Sequence, residues 1–297
     1  MFIIKHRIIF FLFSGACILL SLFAVFLWGL NFGIDFKGGS LLEIEYKTER
    51  PDASLIKEAL LPLNLGEFII QATGEKGIIV RTKTLTEEDR LLLVKTLSFE
   101  GKSEVIEKRF TSIGPVISGE LRSKAITSIL LVSLLIILFI TFTFRHVSDP
   151  VKSWKYGVIA IVTLIHDVTI PTGLFAILGK ISGAEVDALF VTALLAILGI
   201  SVSDTIVVFD RIRENLRLRG SKNFEDTVGE SLKQTFARSI NTSMTTLLAI
   251  FALYFFGPEP TQNFALVLGV GLIFGTYSSI FIASPLLVVA EKLQKRK

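Results

Sequence analysis

"GISVSDTIVVFDRIREN", residues Gly199 to Asn215, decides how the rest of the chain is read. From Ala188 to Phe209 the residues are almost wholly apolar, and about 20 helical residues suffice to cross a hydrocarbon core of roughly 30 Å. Within this run sits Asp204, although a charge at the centre of a bilayer costs about 2.5 to 3.5 kcal/mol. Asp210, Arg211, Arg213 and Glu214 then mark the return to water, where a solvated salt-bridge cluster is expected. At a rise of about 1.5 Å per residue, Asp204 lies roughly 9 Å inside that boundary. An ionisable group at such depth faces a bundle interior and is a functional candidate by default.

Working outward, five more segments have the same apolar character: Ile8 to Leu30, Ile126 to Phe144, Tyr156 to Leu178, Ile240 to Phe256 and Phe264 to Ala290. The whole chain, 297 residues with 51% hydrophobic side chains and a mean hydropathy of +0.63, is too apolar for a soluble domain and reads as a polytopic membrane protein. The first segment follows Lys5, His6 and Arg7 like a signal peptide, but it exceeds the usual h-region of about 7 to 15 residues, so an uncleaved anchor is expected. Cys17 is the single cysteine, which excludes an intramolecular disulfide and a cysteine-based metal site and leaves a small buried hydrophobe. No metal and no cofactor is expected.

Charge sets the topology. The net charge is +4, and the surplus is concentrated in a few short segments. These are the N-terminus (Lys5, Arg7), the loop after the second span (Arg145, Lys152, Lys155), the loop after the fourth (Arg211, Arg213, Arg217, Arg219, Lys222) and the tail (Lys292, Lys295, Arg296, Lys297). The alternate loops carry Lys180 alone among basic residues, with Glu185, Asp187 and Glu259. By the positive-inside rule both termini are cytoplasmic and residues from about 35 to 120 are outside. No nucleic-acid groove is needed to explain the charge.

The outer block follows "NFGIDFKGG", residues Asn31 to Gly39, whose glycines suit a turn. "SLLEIEYK" alternates as a strand, "DASLIKEALLPL" opens on an Asp or Ser cap and turns helical, and "EFIIQAT" with "KGIIVRTK" forms a hairpin. "TEEDRLLLVKTL" starts with a Thr cap and early acids, and "SEVIEKRFTSIG" closes as a strand. The order βαββαβ predicts an α+β ferredoxin-like sheet with two helices on one face. No histidine or cysteine occurs there and the acids are scattered, so no catalytic set is legible. The domain plan is an N-terminus and first helix over 1–31, the outer domain over 32–120, and a five-helix bundle with a basic tail over 121–297.

Polar residues gather near the intramembrane charges. Ser201, Asp204 and Thr205 share one helical face, and Arg238, Asn241, Thr242, Thr245 and Thr246 another. Arg238 stands at the entrance of the fifth span, and a long arginine side chain spans the depth to Asp204. Such hydroxyls support either a hydrated ion route or interhelical hydrogen bonds of about 1 kcal/mol, and both readings stand. Asp167 lies inside the third span beside His166, followed by Pro171, which is expected to bend the helix. The pair reads as a proton relay or as a structural histidine with its partner. Gly271, Gly275 and Ser279, spaced by four, predict close helix contact.

Three stretches carry a family resemblance: "NFGIDFKGG" after the first span, "GISVSDTIVVFDRIREN" closing the fourth and "RSINTSMTTLLAI" opening the fifth. In the right order and topology they resemble the SecF side of the SecD/SecF protein-export family, itself similar to RND-type transporters. The resemblance spans essentially the full chain. It implies six transmembrane helices forming an RND-like half, with one periplasmic domain between the first two. Gly33, Asp35, Phe36, Gly38 and Gly39 become the turn from the first span into the domain's opening strand.

The resemblance also implies an activity: promoting late steps of preprotein translocation across a bacterial inner membrane with the proton or sodium gradient. Its partners are SecD, the Sec channel and ATPase, translocating preproteins, membrane lipid and, in some assemblies, YajC and YidC. The family's fourth-span aspartate falls on Asp204 and its fifth-span arginine on Arg238, with Asp167 joined to them as a further ion-coupling candidate. Two other readings remain at this stage, a small RND-like exporter and a structural stabiliser of the translocon in which a buried ion pair only fixes helix register. Enzymatic catalysis finds no phosphate loop, metal cluster or nucleophile with a base.

Overall fold

The computed structural model describes residues 2–63, 65–145, 150–219 and 223–295. Lys222, Arg296 and Lys297, counted above toward the basic segments, lie outside the described residues. The chain forms two compact units, one of Met1–Asn31 with Ala125–Lys297 and one of Phe32–Lys124.

The first unit is helical. A short α1 (Phe2–Lys5) precedes α2 (Arg7–Trp28). Among the described residues, six helical stretches are long and apolar enough to cross a membrane: Arg7–Trp28, Pro115–Thr143, Ser153–Ile181, Ala188–Leu218, Phe224–Phe256 and Thr261–Lys295. The six expected spans are therefore present, and their limits differ in an instructive way. The fourth helix runs on to Arg219 and the fifth begins at Phe224, well before Ile240. From the end of the fourth apolar run onward, Val208, Ile212 and Leu216 repeat at intervals of four, and ahead of the fifth run so do Phe224, Val228 and Leu232. All six are buried in one core cluster. An amphipathic stripe continues the helix after mean hydropathy has fallen. Asn215 fastens the two extensions, donating to Ser231 Oγ at 2.8 Å and Gln234 Oε1 at 2.9 Å.

The second unit opens on α3 (Ile34–Lys37) and β1 (Gly39–Tyr46), followed by α4 (Ala53–Leu60). Next come β2 (Ile69–Thr73), β3 (Gly77–Thr82), α5 (Glu87–Leu97) and β4 (Val105–Ile113). The sheet order is β2-β3-β1-β4 with every neighbouring pair antiparallel, Leu42 of β1 facing Val80 on one side and Phe110 on the other. This is the expected ferredoxin-like arrangement. Leu42, Ile44 and Tyr46 of β1 and Ile78 and Val80 of β3 form one buried face, against which Ile56 and Leu60 of α4 and Leu93 and Leu97 of α5 are packed. Thr86 caps α5 as predicted, its hydroxyl accepting from the Asp89 N–H at 3.2 Å while Asp89 accepts from the Thr86 N–H at 3.1 Å. Asp52 precedes α4 but makes no side-chain cap.

The paired glycines at the start of β1 now have a physical reason. Gly38 has φ +76° and Gly39 φ +121°, and a Cβ on Gly39 would stand 2.5 Å from the Thr82 carbonyl oxygen. Both backbone conformation and space exclude a side chain.

After β4 the chain enters α6 (Pro115–Thr143), with proline at the first helical position, where its missing N–H costs nothing. The helical unit then continues through α7 (Ser153–Ile181), α8 (Ala188–Arg219), α9 (Phe224–Phe256) and α10 (Glu259–Ser278). A π-helical turn, Ser279–Ala283, links α10 to α11 (Ser284–Lys295). α7 runs through Pro171 without a break. α10 packs against α7, α8 and α9 and lies at the centre.

Candidate functional site

The polar residues of the helical unit converge where α7, α8, α9 and α10 meet. Small residues permit this approach. Along α10 and into the π-helical turn, Gly271, Gly275 and Ser279 face Ile197, Ser201 and Thr205 of α8: a Cβ on Gly275 would lie 3.0 Å from Ser201 Cβ, and Ser279 Oγ lies 2.8 Å from Thr205 Oγ1. The expected close contact at a spacing of four is thus made with α8.

Two carboxyl groups occupy this region, in different surroundings. Asp167 of α7 is fully buried. Its Oδ1 lies 2.8 Å from Nδ1 of His166, and its Oδ2 accepts from the Ser278 hydroxyl of α10 at 2.9 Å and from the Ser201 hydroxyl of α8. Three helices are tied to one side chain.

Asp204 of α8 is half-buried. Its Oδ2 is met by Ser243 Oγ of α9 and Thr276 Oγ1 of α10, both at 3.4 Å, while those two hydroxyls lie 2.6 Å from each other. A hydroxyl-to-carboxylate bond is normally about 2.5 to 3.0 Å, so both contacts are long. The hydroxyls satisfy one another more closely than they satisfy the acid.

Arg238 does not complete this site as a contact ion pair. It is close enough to Asp204 for a Coulombic interaction, yet among the described residues no salt bridge joins the two, and Arg238 is exposed on the surface of this chain. Asn241, Thr242 and Thr245 are exposed on the same side of α9. The Thr245 hydroxyl donates to the Asn241 carbonyl at 2.5 Å and that of Thr246 to the Thr242 carbonyl at 3.1 Å. Of the polar residues expected on the two helical faces, Ser201 and Thr205 are buried beside α10, whereas Asn241, Thr242 and Thr245 of α9 are exposed and make no hydrogen bond to Asp204 among the described residues. Ser243, Thr276 and Ser278 take the places at the carboxyl groups, and the sequence reading had not singled them out. The small residues Gly275, Thr276, Ser278 and Ser279, interrupted by Tyr277, are the available signal for the last two.

The charges after Asp204 behave as a surface cluster: Asp210 pairs with Arg213 at 2.5 Å and Arg211 with Glu214 at 2.6 Å, each one turn apart. Glu225 of α9 lies between Arg7 at 3.2 Å and Lys292 at 2.5 Å, joining the beginning and end of the helical unit. No group of histidine, cysteine or acidic side chains suited to a metal ion occurs among the described residues.

Comparison with known proteins assigns this architecture. Residues 93–293 match the family described as "Protein export membrane protein SecD/SecF, C-terminal", and residues 26–49, which contain Gly38 and Gly39, match the "SecD/SecF GG Motif". The chain belongs to the SecD/SecF family, as a SecF subunit of the protein translocase. It is 42% identical to the protein translocase subunit SecF of Thermobaculum terrenum, over 97% of this chain and 93% of the relative. Against the SecF subunit of Anaerolinea thermophila the identity is 40%, over 97% and 94%. The crystal structure of SecDF from Thermus, a translocon-associated membrane protein, superposes with a TM-score of 0.81 at 34% identity, covering 96% of this chain. This chain spans only 38% of that SecDF polypeptide. A SecF subunit is a multi-pass transport protein and not an enzyme, which removes the exporter and catalytic readings as primary assignments.

Proposed function

We propose that this SecF subunit couples movement of an ion, a proton or sodium, down its gradient to late steps of preprotein translocation, and that Asp204 is the group whose charge changes. The observation that carries the proposal is the contrast between the two acids. Asp167 accepts three hydrogen bonds, whereas Asp204 sits in a candidate span with two long hydroxyl contacts and no ion pair among the described residues. An acid held so loosely exchanges an ion with little rearrangement of its neighbours. Protonation removes its charge and weakens its attraction to Arg238, so that α8, α9 and α10 settle in a second packing. A membrane potential supplies about 2.3 kcal/mol per charge per 100 mV, enough to bias such an equilibrium.

The SecDF relative carries SecD and SecF in one name, and this chain spans 38% of that polypeptide; on that ground a separate SecD is the proposed partner here, completing the open polar side of α9. The Sec channel with its ATPase, YajC, YidC and the translocating preprotein are the remaining proposed contacts. By the charge pattern both termini lie in the cytoplasm and residues from about 35 to 120 in the periplasm, within the inner membrane of a bacterium.

The test is Asp204→Asn in vesicles containing the channel, its ATPase and SecD. Gradient-stimulated export falls to the level seen without a gradient. A variant that retains the stimulation overturns the assignment and leaves the subunit a structural stabiliser of the translocon.

A further inference from the structure

The buried pair on α7 has features that a purely structural histidine would not need. His166 is 2% exposed and Asp167 0%. Among the described residues no lysine or arginine forms a salt bridge with Asp167, and its single cationic candidate is the imidazole 2.8 Å away. The other ionisable groups around the pair are Asp204 on α8, three residues after Ser201, Tyr277 on α10, whose ring centroid is 6.2 Å from that of His166, and Cys17 on α2, within electrostatic reach of Tyr277. α11 meets α7 elsewhere, where Lys155 donates to the Ala290 carbonyl at 3.0 Å.

A carboxylate beside a neutral imidazole would leave one net negative charge sealed among helices, which is costly. One added proton makes the pair neutral overall, as imidazolium with carboxylate or as imidazole with carboxylic acid, and the proton then belongs to both residues. The remaining ring nitrogen, Nε2, is buried without a hydrogen-bond partner. A buried nitrogen without a partner calls for a physical explanation, and a change of protonation state supplies one.

The surrounding helices are also irregular at this position. Pro171 lacks the N–H that would bond the Asp167 carbonyl one turn back, and the π-helical turn begins at Ser279, directly after Ser278.

We propose that His166 and Asp167 jointly hold one exchangeable proton and form a second proton-carrying station beside Asp204. The inference rests on the reading that the subunit is driven by an ion gradient, and it names the proton as that ion at this station. The proton arrives and leaves as such, with no bond broken other than N–H or O–H. The stations share two helices: Ser201 precedes Asp204 on α8, and Thr276 precedes Ser278 on α10. A change of charge at Asp167 therefore acts on α8, which carries Asp204 itself, and on α10, which carries its contact Thr276.

The test compares wild type, His166→Gln and Asp204→Asn in vesicles with SecD, the channel and its ATPase, measuring gradient-stimulated export across roughly pH 5 to 8, where histidine titrates. Glutamine keeps a hydrogen-bond donor for Asp167 but carries no proton. The expected result is a loss of at least tenfold in stimulated export for His166→Gln and a flattened pH profile of what remains, with detergent melting close to wild type. A wild-type rate and pH profile for His166→Gln, with Asp204→Asn inactive, overturns the second station and leaves Asp204 as the carrier. An active Asp204→Asn overturns the underlying reading instead. If His166→Gln fails to fold, ring-15N NMR of His166 in the Asp204→Asn protein decides: a change of ring protonation within that pH range supports the station, and none overturns it.

Discussion

Gly271 of α10 and Ile197 of α8 are so close that the Cβ glycine lacks would stand 2.1 Å from Ile197 Cδ1 and 2.4 Å from Cγ1. The overlap involves the branch of the isoleucine as well as its tip, so rotating the terminal methyl does not relieve it. Gly271→Ala is expected to lower stability by about 1 to 3 kcal/mol, the usual cost of overpacking. Thermal unfolding in detergent measures it. Adding Ile197→Ala should restore part of the loss, giving a non-additive double-mutant cycle. Simple additivity would mean that the two residues do not share this contact.

Gly39 offers a second steric test, in the other unit. Its φ of +121° and the 2.5 Å approach of a virtual Cβ to the Thr82 carbonyl oppose any side chain. Gly39→Ala breaks the start of the β1–β3 pairing, where Ser40 faces Thr82. Backbone incompatibility costs more than the roughly 1 kcal/mol that alanine gains elsewhere by restricting the unfolded chain. Limited proteolysis of the full-length protein should cut the variant within residues 32–124 far faster than wild type, while Gly15→Ala, with open space around it, behaves like wild type.

Tyr46 gives the sheet unit an alkaline limit. Its side chain is fully buried and its hydroxyl donates to the Leu97 carbonyl at 3.1 Å. Burial pushes the phenol up from 10.0 to about 12. Because the folded value is the higher one, this contribution is complete below about pH 10 and disappears as pH rises to about 12, where the folded phenol also ionises. A difference of that size is worth up to about 3 kcal/mol. Unfolding of the full-length chain followed by circular dichroism should show the decline in that window, and Tyr46→Phe should flatten it. Phenylalanine gives up one hydrogen bond, about 1 kcal/mol at neutral pH.

Much of the architecture was legible because it depends on periodicity. Apolar runs of sufficient length must be helices in a membrane, and the alternation in "SLLEIEYK" must be a strand with one buried face. The extensions of α8 and α9 were missed because Ile212, Leu216, Val228 and Leu232 are diluted by charges, so hydropathy falls while the four-residue repeat persists. Asp167 and Asp204 stood out as acids in apolar surroundings. Their partners did not, since Ser243, Thr276 and Ser278 are of types that also hold ordinary membrane helices together. Which face of α9 turns toward α8 depends on side-chain packing between helices distant in sequence, and no local pattern reports it.

Arg238 is where that distinction can be measured. Its side chain is exposed on this chain and makes no salt bridge with Asp204 among the described residues, so Arg238→Gln should change the stability of the isolated subunit by no more than about 0.5 kcal/mol, as for other surface sites. Its effect on transport should be far larger. In the proposed mechanism a guanidinium within Coulombic reach of Asp204 contributes to the balance between its two ionisation states, and a SecD packed on α9 would strengthen that interaction by excluding water. Arg238→Gln should therefore abolish gradient-stimulated export in vesicles containing SecD while its melting curve alone matches wild type. Arg238→Lys keeps the charge but loses the planar donor array and should retain part of the stimulation. Equal loss of stability and export would instead make the arginine a structural residue of the bundle.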